Sequence, residues 1–341
     1  MTASTWRVLG KANMSTYHFG LIGFGKWARQ AYAPVLSEMS DVKVVAVAAR
    51  SSATCTLARE TFGADLTTFN DYRDLLAKPS IDALMIALPN AMHAQVLQDV
   101  AQSEKHVFFE PPMAEDAATA ERLLRVFAES KYIVQADLEL RYLPVMQAVS
   151  RQISSGQLGQ PHMAKVRLWC NWGYRGGPWL DEVQGQSLFL WLGCWYLDVL
   201  DCIFSTTPTN ACVVGGYASN GTLMDHGWAS LTYPGHRIGQ FEFNLTATQE
   251  TEIELLLACQ DGEIHADLRS GVCRWRNHSR DWQSERQPAS EPVFGFEGMR
   301  EAVHDFVHAI RSGKPPRANL AVIHRVQQAA QLCADAERAR L

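Results

Sequence analysis

The sequence predicts an α/β protein with two domains, over residues 17–139 and 140–341. A glycine turn, Gly23-Phe24-Gly25-Lys26-Trp27-Ala28, follows an apolar strand and opens a helix. Strand and helix patterns then alternate to about residue 136. Beyond about residue 211, period-two strands and turns replace that rhythm. A chain of 341 residues is also long for a single hydrophobic core.

The first half reads as strand 17–22, a helix to about residue 38, and strand 42–49. Helix 56–62, strand 66–69, helix 72–76 and strand 81–87 follow. Helix 91–102, strand 106–109, helix 117–130 and strand 132–136 complete the unit. The run 81–87 is continuously apolar, as a parallel strand covered on both faces requires.

Strand, glycine turn, helix and strand in this order form a dinucleotide-binding fingerprint of the Rossmann type. Gly23 permits the turn, Gly25 admits a pyrophosphate to the backbone, and Ala28 lets the helix approach the strand. Phe24, Lys26 and Trp27 complete the turn. Strand two ends in Ala49-Arg50-Ser51-Ser52, where an NAD site usually presents an acid to the ribose hydroxyls. Arg50 suits a 2′-phosphate and Ser51 and Ser52 offer further donors, so the expected cofactor is NADP. An ordinary helix cap beside a surface arginine is the plainer reading of the same residues.

Ligands of open parallel sheets sit beyond the carboxyl ends of the strands. Leu88, Pro89, Asn90, His93, Glu110 and Pro111 fall on that edge.

A net charge of -5 with no basic patch speaks against nucleic acid. The apolar run 188–200 contains Gly193 and reads as a buried helix, since it is too short for a bilayer. No secretory leader is expected, and Met14 is a candidate alternative start because organised sequence begins at Tyr17. Eight cysteines without a CxxC or a metal-spaced partner set are expected to be reduced, in a cytoplasmic protein without a metal.

In the second half, a helix from Pro144 to about residue 154 precedes strand 163–170 and an aromatic, glycine-rich segment holding Tyr174 and Arg175. Helix 187–204 is apolar over nearly its whole girth, with Trp191, Trp195 and Asp198 on one side. Core packing and a position facing the cofactor are both open for that side. Alternation is clear in Gln240, Glu242 and Asn244 against Phe241, Phe243 and Leu245, which suggests antiparallel strands with one wetter face. Helices over 298–311 and 321–341 close the chain and are expected to pack back on the first domain.

The chain resembles the Gfo/Idh/MocA oxidoreductases. The likeness rests on GFGKWA at 23–28, ALPNAMHAQVL at 87–97, KHVFFEPP at 105–112, ELRYLP at 139–144, SGQLGQP at 155–161 and GQSLFLWLGCWYLDVL at 185–200. The resemblance implies a second α/β domain with a large, mostly antiparallel sheet that carries the substrate site and often an oligomer interface. A homodimer or homotetramer through that sheet follows. The family's usual Glu-Lys-Pro stands here as Glu110-Pro111-Pro112, so its lysine is absent. The positions of its helical aspartate and histidine match Trp191 and Trp195.

Hydride transfer needs a positioned carbon and a group that handles the proton. The candidates for that work are Asp198, Tyr174, Tyr196, His93, Arg141 and Glu110, with Asp198 or Tyr174 foremost as proton donor. Arg141 could hold a substrate carboxylate, or pair with Glu139 or Glu110. The aromatic pocket and the missing lysine tilt the expectation toward NADP-dependent reduction of an imine or unusual carbonyl. A sugar or polyol dehydrogenase and a non-catalytic dinucleotide sensor are the alternatives.

Overall fold

The computed structural model describes residues 16–171, 187–218, 223–248, 251–278, 281–287 and 298–339. The first sheet is six-stranded, in the order β3-β2-β1-β4-β5-β6. Its strands are β1 (Tyr17–Ile22), β2 (Val42–Ala48), β3 (Thr67–Phe69), β4 (Ala83–Ile86), β5 (His106–Phe109) and β6 (Val134–Ala136). Every pairing in it is parallel. This is the doubly wound order in which a crevice opens between β1 and β4, where the winding reverses. All four residues of β4 are buried, which explains the unbroken apolar run.

The helix after β1 contains a π-helical turn, Ala28–Tyr32, that leads into α1 (Ala33–Glu38). Pro34 has no N–H to continue an α-helical ladder, and Ala33 N–H instead reaches back five residues to the Ala28 carbonyl. Helix α2 (Ser52–Phe62) begins four residues earlier than its apolar pattern predicts. The reason is local: Ser51 Oγ accepts from Thr54 N at 3.1 Å and caps the helix. Helices α3 (Tyr72–Leu76), α4 (Asn90–Ala101) and α5 (Ala117–Ala128) follow in the expected order.

A 3₁₀ turn, Glu139–Tyr142, and α6 (Pro144–Ser154) lead to the second sheet. Its eight strands are β7 (Pro161–Trp169), β8 (Asn210–Gly216), β9 (His226–Tyr233), β10 (Arg237–Asn244), β11 (Glu252–Cys259), β12 (Gly262–Asp267), β13 (Val272–Asn277) and β14 (Gln283–Arg286). They run in the order β14-β13-β12-β11-β7-β10-β9-β8. Only the β7–β10 pairing is parallel. Buried residues alternate with wetter ones along β10 and β11, as period two requires. The outer face carries ion pairs such as Lys165–Glu242 at 3.0 Å. The inner face packs Phe241 and Phe243 against the helical layer, with Phe241 stacked on Tyr196 at 4.9 Å.

That helical layer is not one continuous helix. It consists of α7 (Leu188–Trp191) and α8 (Gly193–Phe204), joined at Leu192. Helices α9 (Gly298–Ser312) and α10 (Leu320–Arg338) complete the fold. Helix α10 lies against α8 and also against α5 and β6 of the first sheet. All eight cysteines are free. No described helix is long and apolar enough to cross a membrane.

Candidate active site

The carboxyl ends of the first sheet open into a cavity of about 620 Å³. Its floor is the glycine turn. Gly23 has φ +88°, and a Cβ there would lie 2.0 Å from the Ala87 carbonyl oxygen, so only glycine joins β1 to the loop after β4. A Cβ on Gly25 would meet nothing within 4 Å. The backbone at Gly25 therefore lies open to the cavity, as close approach of a pyrophosphate requires. The residues present fit a dinucleotide.

At one end the cavity is lined by Arg50, Ser51, Thr54, Asn70 and Tyr72. Arg50 is exposed, and no acidic side chain lines this end among the described residues. At the other end stand Leu88, Pro89, Asn90, Met92, Glu110 and Trp191. Of the expected cofactor residues, Gly23, Phe24, Gly25, Lys26, Trp27, Ala28, Arg50, Ser51, Leu88, Pro89, Asn90 and Glu110 line the cavity, and Ser52, His93 and Pro111 do not. Thr54, Asn70, Tyr72 and Met92 line it without being expected there, and Trp191 takes the cofactor-facing position left open for its side of the helix. Asn70 directly follows β3, whose place beside β2 the doubly wound strand order supplies, so that order was the available signal.

The expected catalytic residues are dispersed. Asp198 is fully buried and its two oxygens take Arg141 Nε at 3.1 and 3.0 Å. Asp201 accepts from Arg141 Nη2 at 3.2 Å and from Arg325 Nε at 2.6 Å. Burial pushes Asp198 up to about 6 against the pull of Arg141. Arg141 is thus committed to the aspartates of α8, not to Glu139 or Glu110, and neither it nor Asp198 lines the cavity. Tyr196 is buried against Phe241, and burial raises its pKa. Tyr174 and Arg175 lie outside the described residues.

His93 is also buried, with Nδ1 2.7 Å from the Pro112 carbonyl and Nε2 2.8 Å from the Leu88 carbonyl. Burial lowers its pKa despite both carbonyls. It ties the loop after β4 to the loop after β5. These contacts make His93 a backbone anchor between the two loops, not one of the groups lining the cavity.

The three helical positions separate as well. Trp191 lines the cavity, and Trp195 turns inward and donates from Nε1 to Glu139 Oε2. Glu139 belongs to a group of carboxyls at the ends of β5 and β6. Asp137 lies beside it and accepts from Trp27 Nε1 at 3.0 Å and Tyr32 OH at 2.9 Å. Glu110 is the only carboxyl among the described residues lining the cavity. Burial, and secondarily the charge of Asp137, hold Glu110 and Glu139 well above the usual carboxylate range. Burial pushes Asp137 up to about 6.

These shifts have a consequence for stability. The folded chain holds a proton on Asp137 that the unfolded chain, with the ordinary value of 3.8, has already released. The stabilisation is complete below the unfolded value and disappears as pH rises through about 6. The melting temperature is expected to fall across this interval, and to fall less in Asp137→Asn. Parallel melting curves for the two proteins over pH would show the difference in slope.

Two family models match the chain. One, described as an oxidoreductase family with an NAD-binding Rossmann fold, covers residues 17–138. The other, the GFO/IDH/MocA C-terminal domain, covers residues 146–265. The chain belongs to the Gfo/Idh/MocA oxidoreductase family. Its first domain is the NAD-binding Rossmann domain of that family.

Among curated relatives, inositol 2-dehydrogenase of Rhizobium meliloti is 28% identical over 151 residues, 44% of each chain. An uncharacterised oxidoreductase of Bacillus subtilis is 32% identical over 97 residues, 28% of each. The chain thus spans less than half the length of these two relatives. The D-xylose 1-dehydrogenase (NADP(+)) 2 of Haloferax volcanii is 22% identical over 315 residues, covering 88% of this chain and 91% of that one.

Among solved structures, a levoglucosan dehydrogenase in complex with NADH superposes with a TM-score of 0.85 at 16% identity, covering 95% of this chain and 98% of that one. A 3-ketoreductase from Actinomadura kijaniata, in complex with NADP and TDP-benzene, gives 0.76 at 18% identity, covering 93% and 96%. At these identities the family fold is shared and substrates are not thereby transferred.

Proposed function

We propose that this family member is an NADP-dependent oxidoreductase that interconverts a hydroxyl and a carbonyl on a sugar or polyol, with Glu110 as its acid–base group. The observation that carries this reading is the place of Glu110: the one carboxyl lining the cavity among the described residues, at the end away from Arg50. Burial raises this carboxyl well above the usual carboxylate range, the direction that a proton donor requires.

The bound nicotinamide supplies or accepts the hydride. The protein's own part is confined to named side chains. Glu110 gives its proton to the carbonyl oxygen in reduction and takes the hydroxyl proton in oxidation. The backbone around Gly25 faces the pyrophosphate, and His93 holds together the two loops that flank the reacting end. Trp191 forms an apolar wall there.

The sugar or polyol reading replaces the imine expectation. The missing lysine is one ground for that expectation, and Glu110 offers a different proton donor in the same loop. The relatives' names also lean this way, since they include an inositol and a xylose dehydrogenase. Blockage of the cavity by both Trp191 and Trp195 would favour a non-catalytic sensor. Trp195 instead turns away to Glu139, which leaves room for a substrate.

Arg50 and Ser51, with no acid beside them among the described lining residues, support NADP. A charge-assisted contact to a 2′-phosphate contributes about 1.5–3 kcal/mol. NADPH is therefore expected to bind at least about tenfold tighter than NADH, and Arg50→Ala to abolish the difference. Nicotinamide fluorescence titration checks both. Equal affinities in the wild type would contradict the assignment. The outer face of the second sheet, where Met163, Trp228 and Ile238 are exposed, supports self-association there, which sedimentation would reveal.

A further inference from the structure

Glu110 and Asp137 occupy equivalent places on neighbouring strands. Phe109 pairs with Ala136 in the β5–β6 register, and Asp137 N–H bonds the Phe109 carbonyl at 2.7 Å. The next residue of each strand is therefore an acid, and the two stand side by side where the sheet ends.

Asp137 is completely buried, and one oxygen, Oδ2, receives both Trp27 Nε1 and Tyr32 OH. Its other oxygen, Oδ1, is buried with no hydrogen-bond donor. An ionised carboxylate in that setting leaves an acceptor unsatisfied, at a cost the fold would ordinarily avoid. Glu139, also buried, lies within hydrogen-bonding reach of Asp137, and its own Oε2 is taken by Trp195 Nε1. A proton held by the pair lets one carboxyl donate to the other, which two carboxylates could not do. Tyr32 from the π-helical turn, and Trp195 and Tyr196 from α8, are the other polar or titratable side chains facing the group.

We propose that Asp137 and Glu139 share one proton, and that the remaining single negative charge of this pair acts on Glu110 to favour its protonated form. The pair positions a proton without touching substrate. It rests on the reading of Glu110 as the acid–base group, and it supplies a reason for that group to hold its proton. In reduction the carbonyl carbon takes hydride, the carbonyl oxygen takes the Glu110 proton, and the reduced nicotinamide is oxidised. Glu110 is left as a carboxylate beside a negative pair, which favours its reprotonation from solvent through the cavity.

The test is an infrared pH titration of the full chain without cofactor, following the protonated-carboxyl stretch. The difference between wild type and Glu110→Gln isolates Glu110. The same difference in an Asp137→Asn background is expected to titrate about one pH unit or more lower, because the neighbouring charge is gone. An unmoved Glu110 titration overturns the proposal. Glu139→Gln should remove a second protonated carboxyl without lowering the Glu110 titration. Persistence of that carboxyl overturns the shared proton, and this arm remains decisive if Asp137→Asn fails to fold. Neither arm needs turnover, so an active Glu110→Gln enzyme would sink the functional reading separately.

Discussion

Glu110→Gln is expected to lower kcat by about 10²–10⁴-fold while leaving dinucleotide affinity within a few-fold of wild type. Glutamine keeps the size and polarity of the side chain and removes only its exchangeable acid. The cavity floor at Gly23 and Gly25 and the end around Arg50 do not depend on residue 110. A loss confined to KM would assign Glu110 to substrate binding. A variant with full kcat would remove it from the chemistry altogether. The pH profile adds a second constraint. In reduction Glu110 must be protonated, so kcat should decline as pH rises through its elevated pKa, and Glu110→Gln should lack that limb.

The largest effect on stability is expected at Gly23. A methyl group there would stand 2.0 Å from the Ala87 carbonyl oxygen, on a residue with φ +88°. Both the clash and the left-handed backbone oppose alanine, and the joint between β1 and β4 cannot shift without moving the centre of the sheet. Gly23→Ala should therefore lose more than about 4 kcal/mol, or fail to accumulate as folded protein. Gly25→Ala is the contrasting case. Its added methyl meets nothing in the protein and projects into the cavity. Its melting curve should match wild type while NADPH affinity falls at least about tenfold. If Gly25→Ala binds NADPH normally, the cofactor does not approach this turn.

The contrast between these glycines shows what was legible in the sequence. The turn, its flanking strands and the doubly wound order depend on short-range pattern, and the spacing of 23–28 carries that pattern. The lack of an acid after β2 was legible for the same reason, since Arg50 and Ser51 follow the strand directly. Membership in the family was legible from ordered motifs over most of the chain.

The interior of the candidate site was not legible. Asp137 and Glu139 sit in a stretch that reads as the end of one domain and the start of the next. Their burial is created by Trp27, Tyr32 and Trp195, which come from distant parts of the chain. Helical spacing put Trp191, Trp195 and Asp198 on one side of a continuous helix. The break between α7 and α8 at Leu192 separates Trp191, at the cavity, from Trp195 at Glu139 and Asp198 at Arg141 on the second helix. Arg141 illustrates the same limit. Its carboxylate partners, Asp198 and Asp201, lie 57 and 60 residues on in the chain and share one face of α8, so no local register announces them.

The central claim is that this dinucleotide groove performs redox chemistry at Glu110. Its most direct test is to mix the protein with NADP⁺ and a panel of sugars and polyols, and with NADPH and the matching carbonyl compounds, while following the absorbance of reduced nicotinamide. The account predicts turnover on at least one pair by the wild type and almost none by Glu110→Gln. Tight NADPH binding with no turnover across the panel, or equal turnover by Glu110→Gln, would contradict it.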